Sequence, residues 1–193
     1  MYGIVSSTNA INMPLNKRIV MLLASQRFRD CEYLVPKAFF EQAGIEVHTA
    51  STSLVSNGRF GFIVHNQLLV QYINPTQFDG IYFVGGAGSS EYLNNETAKG
   101  IFQAFLDLNK PIAAICAAPR NFLHWGLLKN KKSTGFDSDG VFSQMALENG
   151  SVSLLHEKVV IDGLILTANG PEASEESALA FIKLLAVSAP HTI

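Results

Sequence analysis

A short run of small and apolar residues near the middle of the chain constrains the fold more than any other feature. Ile112–Ile115 has the continuous apolar character of a central parallel strand, which is buried on both faces. Pro119 is suited to the first turn of a following helix, where its missing N–H is not needed. Cys116 therefore lies at a predicted turn from strand to helix, inside an α/β fold with a mainly parallel sheet.

Other segments fit the same architecture. An apolar run at 18–24, a helical pattern at 31–43 and an alternating pattern at 45–50 predict strand, helix and strand with short connections. Two apolar segments, 62–64 and 68–70, flank a polar tripeptide and predict an antiparallel hairpin at the sheet edge. Further strands are predicted at 81–84, 133–134, 152–155, 159–161 and 164–167, and further helices at 97–108, 119–125, 141–148 and 174–186. Strands and helices therefore alternate along most of the chain.

The length of the chain, 193 residues, fits one domain with a full core. We predict a single domain at 17–193, preceded by a loose N-terminal extension at 1–16. That extension has no basic segment and its apolar residues are scattered, so it is not expected to be a secretory signal. No apolar run is as long as a membrane span.

Charge and cysteine usage limit the partners and the compartment. The formal net charge of −2 gives no global basic surface for nucleic acid or for acidic lipid, so a small-molecule partner is expected. The two cysteines are Cys31 and Cys116, too few for a disulfide scaffold. We therefore expect free thiols and a reducing compartment, the cytoplasm.

The position of Cys116 allows two interpretations. A nucleophile elbow places its attacking atom at a turn of this kind, where the backbone N–H groups that open the helix can receive an oxyanion. The same helix N-terminus favours a thiolate over a thiol. However, a free cysteine in an apolar run can also be a small core residue. Spacing alone leaves both interpretations open.

Four separate segments resemble a known family. They are Glu32 before Leu34-Val35-Pro36, the pair Gly85-Gly86 after a strand, the stretch Ala-Ile-Cys-Ala-Ala-Pro at 114–119, and Asp-Gly-Leu-Ile-Leu-Thr-Ala-Asn-Gly-Pro at 162–171. Together, and in this order, they resemble the ThiJ/PfpI superfamily over residues 17–186. The resemblance implies a flavodoxin-like three-layer sandwich with helices on both faces of the sheet, related to class I glutamine amidotransferases.

The resemblance also implies a set of functional residues. Cys116 would be the nucleophile, and Glu32 would be the carboxyl group that faces it. The backbone N–H groups of Gly86 and Ala117 would form the oxyanion site. A homodimer is the assembly that the family suggests.

Two more residues are candidates for the pocket. Gly85 belongs to a glycine segment without the spacing of a phosphate or dinucleotide loop, so a tight turn beside the cysteine is expected. Arg120 either attracts an anionic substrate at the pocket mouth or is solvated.

Cys31 neighbours Glu32 but would point about 100° away on a helix, so it is either a packing residue or a resolving thiol. No spacing of His, Cys, Asp and Glu predicts a metal site, and no cofactor is expected.

Several residues depart from the pattern of particular branches of the superfamily. Ala117 stands where the protease-like branch has His, which disfavours a peptidase. Asn169 to Glu172 stands where amidotransferases carry a His and Glu pair, and Ser133 to Phe136 replaces the pocket His of another branch.

The remaining hypotheses come from different functional classes. The leading one is cysteine chemistry on a small electrophilic carbonyl metabolite, as in glyoxalase or deglycase activity. An isonitrile-hydratase-like lyase is a second enzymatic option. The non-enzymatic alternative is a cysteine redox sensor or a chaperone-like stress protein.

Overall fold

Twelve strands and five α-helices occur in residues 15–188, the range that the computed structural model describes. The strands are β1 Arg18–Leu22, β2 Gln26–Phe28, β3 Glu46–Ser51, β4 Val55–Gly58, β5 Ile63–His65, β6 Leu68–Leu69, β7 Gly80–Phe83, β8 Ile112–Ile115, β9 Lys132–Ser133, β10 Val152–Ser153, β11 Val159–Asp162 and β12 Ile165–Ala168. The helices are α1 Asp30–Gln42, α2 Glu96–Asp107, α3 Pro119–His124, α4 Val141–Glu148 and α5 Ser174–Val187. No helix of this range is long and apolar enough to cross a membrane.

Seven strands form the central sheet, in the order β11-β12-β8-β7-β1-β3-β6. All neighbours in it are parallel except β11, which runs antiparallel to β12. Two small sheets lie beside it, β2-β4-β5 and β9-β10. The predicted α/β fold with a mainly parallel sheet is confirmed.

The central strands are buried on both faces, which explains their continuous apolar sequences. Successive side chains of a strand point to opposite faces. In β1, Ile19 and Met21 pack with aromatic residues of α1 and α5, whereas Val20 and Leu22 pack with aromatic residues of α2, α3 and α4. The helices therefore lie on both faces of the sheet, in the three-layer sandwich that the resemblance implied.

The predicted hairpin between 62–64 and 68–70 is wrong. β5 pairs antiparallel with β4, and β6 pairs parallel with β3 at the edge of the central sheet. Gln67, one of the three polar residues between the two segments, explains the difference. Gln67 Oε1 accepts a hydrogen bond from the Thr49 N–H at 2.7 Å, and the Gln67 N–H donates to the Thr49 carbonyl oxygen at 3.0 Å. This pairing attaches the chain to β3 instead of folding it back on β5.

The N-terminal extension predicted at 1–16 lies outside the described residues except for its last two. Of these, Leu15 packs against the core, and its N–H donates to the Ala43 carbonyl oxygen at 3.0 Å. The first described residue is thus attached to the end of α1. The single domain at 17–193 stays a prediction.

Candidate active site

Cys116 lies immediately after β8, at a turn that the neighbouring chain holds on both sides. Its N–H donates to the Ala168 carbonyl oxygen, and its own carbonyl oxygen accepts from the Phe136 N–H, both at 2.8 Å. The backbone φ of Cys116 is +63°, a left-handed conformation that is strained for a residue other than glycine. The turn lifts the side chain out of the sheet, and the residue remains 9% exposed.

Two glycines bring the end of β7 against this turn. A Cβ on Gly85 would lie 2.3 Å from the Ile115 carbonyl oxygen and 2.4 Å from Glu32 Oε2, so only glycine permits the approach. Gly86 has φ +106°, and a Cβ there would lie 2.6 Å from the backbone nitrogen of Arg29. The pair joins β7, β8 and the start of α1 at the carboxyl ends of the strands, where open α/β sheets bind ligands.

Glu32 lies in the first turn of α1, is fully buried and faces Cys116. Burial raises its pKa from 4.5 to about 7, while the Cys116 thiol, the Arg29 charge and the Gly85 N–H act in the opposite direction. Neither carboxyl oxygen has a hydrogen-bond partner of standard distance and angle among residues 15–188. A buried carboxyl group without such partners is costly to ionise.

The pKa of the Cys116 thiol is also raised, which differs from the expectation of a thiolate favoured by the helix N-terminus. Burial is the largest cause, followed by the nearby charge of Glu32. α3 has six residues, so its dipole is too short to offset these effects. The backbone N–H groups of Gly86 and Ala117 act in the opposite direction, because they donate to the sulfur.

The thiol and the carboxyl group form a coupled pair. Ionising both would place two negative charges together in a buried site, so the pair keeps one proton over a wide range of pH. The N–H groups of Gly86 and Ala117 favour a charge on the sulfur, and the Cys116 thiol and the Gly85 N–H favour a charge on Glu32. The form of the pair that can attack an electrophile carries the single negative charge on Cys116 and the proton on Glu32.

A cavity of about 280 Å³ opens onto Cys116. Gly86 and Ala117 line it, together with the side chains of Arg29, Arg59 and Arg120. A larger groove of about 530 Å³ lies between α5 and β11, but no cysteine lines it and its lining side chains are mainly apolar. The candidate nucleophile is thus reached through the smaller cavity.

Arg120 lies in the wall of this cavity and is held there rather than freely solvated. Its Nη2 donates to Asp139 Oδ1 at 2.5 Å and to the Phe136 carbonyl oxygen at 2.8 Å. Its guanidinium carbon lies 5.4 Å from the centre of the Phe136 ring. The pKa of Asp139 is lowered, mainly by its hydrogen bond with Arg120, so the charge of this arginine is largely balanced.

The second cysteine lies elsewhere. Cys31 is partly buried on α1 and does not line the cavity. His124 contacts Asn94 Oδ1 at 3.2 Å. Within residues 15–188, no histidine lines the cavity and no cluster of three or more His, Cys, Asp or Glu side chains could hold a metal ion.

Sequence reasoning missed two arginines of the cavity. Arg29 precedes α1, only three residues before Glu32, and this proximity was a usable signal. Arg59 follows β4, a strand of four residues without an apolar pattern, and no local feature connects it to Cys116. Both come to the site through the small sheet in which β2 pairs with β4.

The raised pKa of Glu32 predicts how stability depends on pH. The unfolded chain loses this proton near pH 4.5 and the folded protein only near pH 7, so the stabilisation is complete below pH 4.5 and is lost as the pH rises through 7. Relative to Glu32→Gln, the wild type should lose about 3 kcal/mol of unfolding free energy between about pH 4 and pH 7. Urea unfolding of both proteins measures this difference, and a difference independent of pH would show that Glu32 titrates normally.

Comparison with known proteins identifies the family of this chain. The model of the DJ-1/PfpI family matches residues 17–184. A protein of Pyrococcus furiosus named as a deglycase is 29% identical, over 86% of this chain and 98% of its own, and a putative cysteine protease of Bacillus subtilis is 29% identical, over 83% and 94%. The crystal structure of a ThiJ/PfpI domain protein from Brachyspira murdochii superposes with a TM-score of 0.82, at 27% identity over 88% of this chain and 96% of that one. The chain belongs to the DJ-1/PfpI family.

Proposed function

We propose that this protein uses Cys116 as a nucleophile on small reactive carbonyl compounds, in the manner of a glyoxalase or a deglycase. The observation that carries the proposal is the surroundings of the sulfur. Glu32 faces it, the N–H groups of Gly86 and Ala117 donate to it, and a cavity of about 280 Å³ gives access to it. The deglycase named among the relatives supports the same class of substrate.

The proposed reaction with methylglyoxal starts at the aldehyde. The Cys116 thiolate forms a bond to the aldehyde carbon, the electron pair of the C=O bond moves to oxygen, and Glu32 supplies the proton that makes the hemithioacetal. The N–H groups of Gly86 and Ala117 stabilise the oxygen while it is negatively charged.

Glu32 then carries a second proton transfer. Its carboxylate takes the hydrogen of the former aldehyde carbon as a proton and returns it to the adjacent ketone carbon through an enediol. The former aldehyde carbon is oxidised to a thioester, and the ketone carbon is reduced to an alcohol. Water hydrolyses the thioester to lactate and regenerates the thiol. Because oxidation and reduction both occur within the substrate, we propose no cofactor.

A peptidase or an amidotransferase is not proposed. Both mechanisms use a histidine beside the cysteine as the base. Ala117 follows Cys116, and the cavity has no histidine among its described lining residues. The relative named as a putative cysteine protease does not change this inference, because the base is missing from this chain's own site.

We also propose a homodimer in the cytoplasm. The two free cysteines support a reducing compartment. Phe60, Phe62 and Ile63 expose 67%, 41% and 56% of their surface in and after the turn that follows β4, and a second copy of the chain would cover them. With a net charge of −2, we propose neither a nucleic-acid nor a membrane partner.

Incubation of the purified protein with methylglyoxal tests the proposed function. We expect lactate to accumulate in large molar excess over the protein, measured by an enzymatic lactate assay or by NMR. Mild peroxide treatment beforehand should abolish the turnover by oxidising Cys116. Oxidation of Cys116 in a protein that never produced lactate would instead indicate a redox sensor and would overturn the proposal.

A further inference from the structure

Two arginines share one aromatic ring beside the cavity of Cys116. The guanidinium carbon of Arg29 lies 4.8 Å from the centre of the Phe60 ring, and that of Arg59 lies 5.6 Å from it. Both arginines line the cavity. The ring attracts each cation through its π face, and it also brings two like charges together.

The turn that carries Arg59 and Phe60 is fixed to the start of α1. The Asp30 carboxylate accepts hydrogen bonds from the N–H groups of Phe60 and Phe62, each at 2.9 Å. The Arg59 N–H donates to the Phe28 carbonyl oxygen at 2.8 Å. Asp30 is 8% exposed, so these are partly desolvated bonds. The backbone that carries Arg59 and Phe60 is thus fixed beside the start of α1.

The charges of these two arginines are not balanced by an ion pair. Among residues 15–188, neither Arg29 nor Arg59 lies within ion-pair distance of a carboxylate. Arg120, by contrast, is paired with Asp139. The buried Nε of Arg29 has no hydrogen-bond partner in the described part of the chain. Glu32 is the carboxyl group whose pKa Arg29 lowers, and it shares its proton with Cys116.

We propose that the substrate of this site carries an anionic group, a carboxylate or a phosphate, next to its reactive carbonyl, and that Arg29 and Arg59 bind this group. Guanidinium groups bind both kinds of anion through paired, charge-assisted hydrogen bonds. The anion would contact the two guanidinium groups, and the carbonyl carbon of the substrate would lie against Cys116. Sγ then forms a bond to that carbon, and the carbonyl oxygen receives the electron pair and the Glu32 proton. This inference rests on the proposed function and specifies its substrate class.

Two alkylating reagents of nearly equal size test the anion site without requiring turnover. Iodoacetate and iodoacetamide both transfer a two-carbon group to sulfur and release iodide, but only iodoacetate carries a carboxylate. In a Cys31→Ser background, mass spectrometry measures the rate of each at Cys116, and glutathione in the same buffer gives the reference ratio. We expect the iodoacetate to iodoacetamide ratio at Cys116 to exceed that of glutathione by about tenfold or more.

The variants assign the effect to the two arginines. The excess ratio should fall toward that of glutathione in Arg59→Gln and in Arg29→Gln, and partly recover in Arg59→Lys. Lys129→Gln removes an exposed cation that does not line the cavity, so it should leave the ratio unchanged. Arg59 is exposed, and its replacement is therefore expected to leave the fold intact.

Competition separates the two kinds of anion. Protection against iodoacetate by glyoxylate alone indicates a carboxylate substrate, and protection by glyceraldehyde 3-phosphate and inorganic phosphate indicates a phosphorylated one. A ratio equal to that of glutathione, a raised ratio that survives both arginine replacements, or no alkylation of Cys116 by either reagent would overturn the inference. If the protein turns over methylglyoxal, which is neutral, but its iodoacetate to iodoacetamide ratio equals that of glutathione, this inference alone is overturned. A raised ratio without any turnover would overturn only the proposed function.

Discussion

Replacing Cys116 with Ser is expected to lower methylglyoxal turnover by at least about 10³-fold. The serine hydroxyl is a far weaker acid than the thiol, and the neighbouring Glu32, which itself prefers to keep its proton, cannot remove the hydroxyl proton at neutral pH. The substitution is nearly isosteric, so the cavity and the two N–H donors should remain in place.

Cys31→Ser is the matched control, because it makes the same replacement of sulfur by oxygen at a cysteine that does not line the cavity. It should turn over methylglyoxal at the wild-type rate. Lactate formation measured side by side in both variants decides the assignment. If Cys116→Ser keeps turnover within tenfold of the wild type, the nucleophile lies elsewhere.

Replacing Glu32 with Gln is expected to lower the same turnover by about 10²–10⁴-fold, the usual loss for a general acid–base group. Glutamine keeps the shape of the side chain and a hydrogen-bond donor toward the sulfur, but it has no proton to transfer. In the variant, water can still supply the proton for hemithioacetal formation, although slowly. No side chain remains that could carry the C–H proton to the adjacent carbon.

Glu41→Gln serves as the control for this variant. Glu41 lies on the same helix, is exposed and pairs with Lys37, so its replacement should leave turnover unchanged. Initial rates at saturating methylglyoxal compare the three proteins. Wild-type rates in Glu32→Gln would make Glu32 a structural residue and would remove the proton shuttle from the mechanism.

The central fold could be predicted because its information is local. The continuous apolar runs of β1, β7 and β8 identify buried parallel strands, and Pro119 and the glycines at 85–86 mark the turns at their carboxyl ends. The position of Cys116 follows from these features alone. Glu32 could be singled out only through the family resemblance, because its helix carries several acidic residues with nothing to distinguish them.

The placement of Arg29 and Arg59 beside the cavity could not be predicted, because it depends on contacts between residues that are distant in sequence. β2 has three residues and β4 has four, too few for a recognisable alternation. Their parallel pairing places Arg59 beside Arg29, thirty positions earlier in the chain. Likewise, the Asp30 bonds to the turn after β4 depend on a tertiary contact that no local pattern records.

The pKa of Cys116 beside Glu32 could not be predicted from the sequence for a different reason. A helix N-terminus next to a cysteine predicts a lowered pKa, but the chain buries the thiol beside a carboxyl group and follows it with a helix of six residues. Burial and like charge therefore dominate. Their strength depends on solvent exclusion by residues from β7, β8 and α1 together, which the sequence around Cys116 does not contain.

The pH dependence of Cys116 alkylation by iodoacetamide tests the central claim most directly, since the mechanism requires the single charge of the pair to reside on sulfur. In a Cys31→Ser background, the rate should rise through a midpoint near pH 7, where the pair loses its first proton, and then reach a plateau. Glu32→Gln in that background should react within a few-fold of it at neutral pH. A rate that stays low until strongly alkaline pH, together with much faster alkylation of the Gln variant, would place the charge on Glu32 and contradict the account.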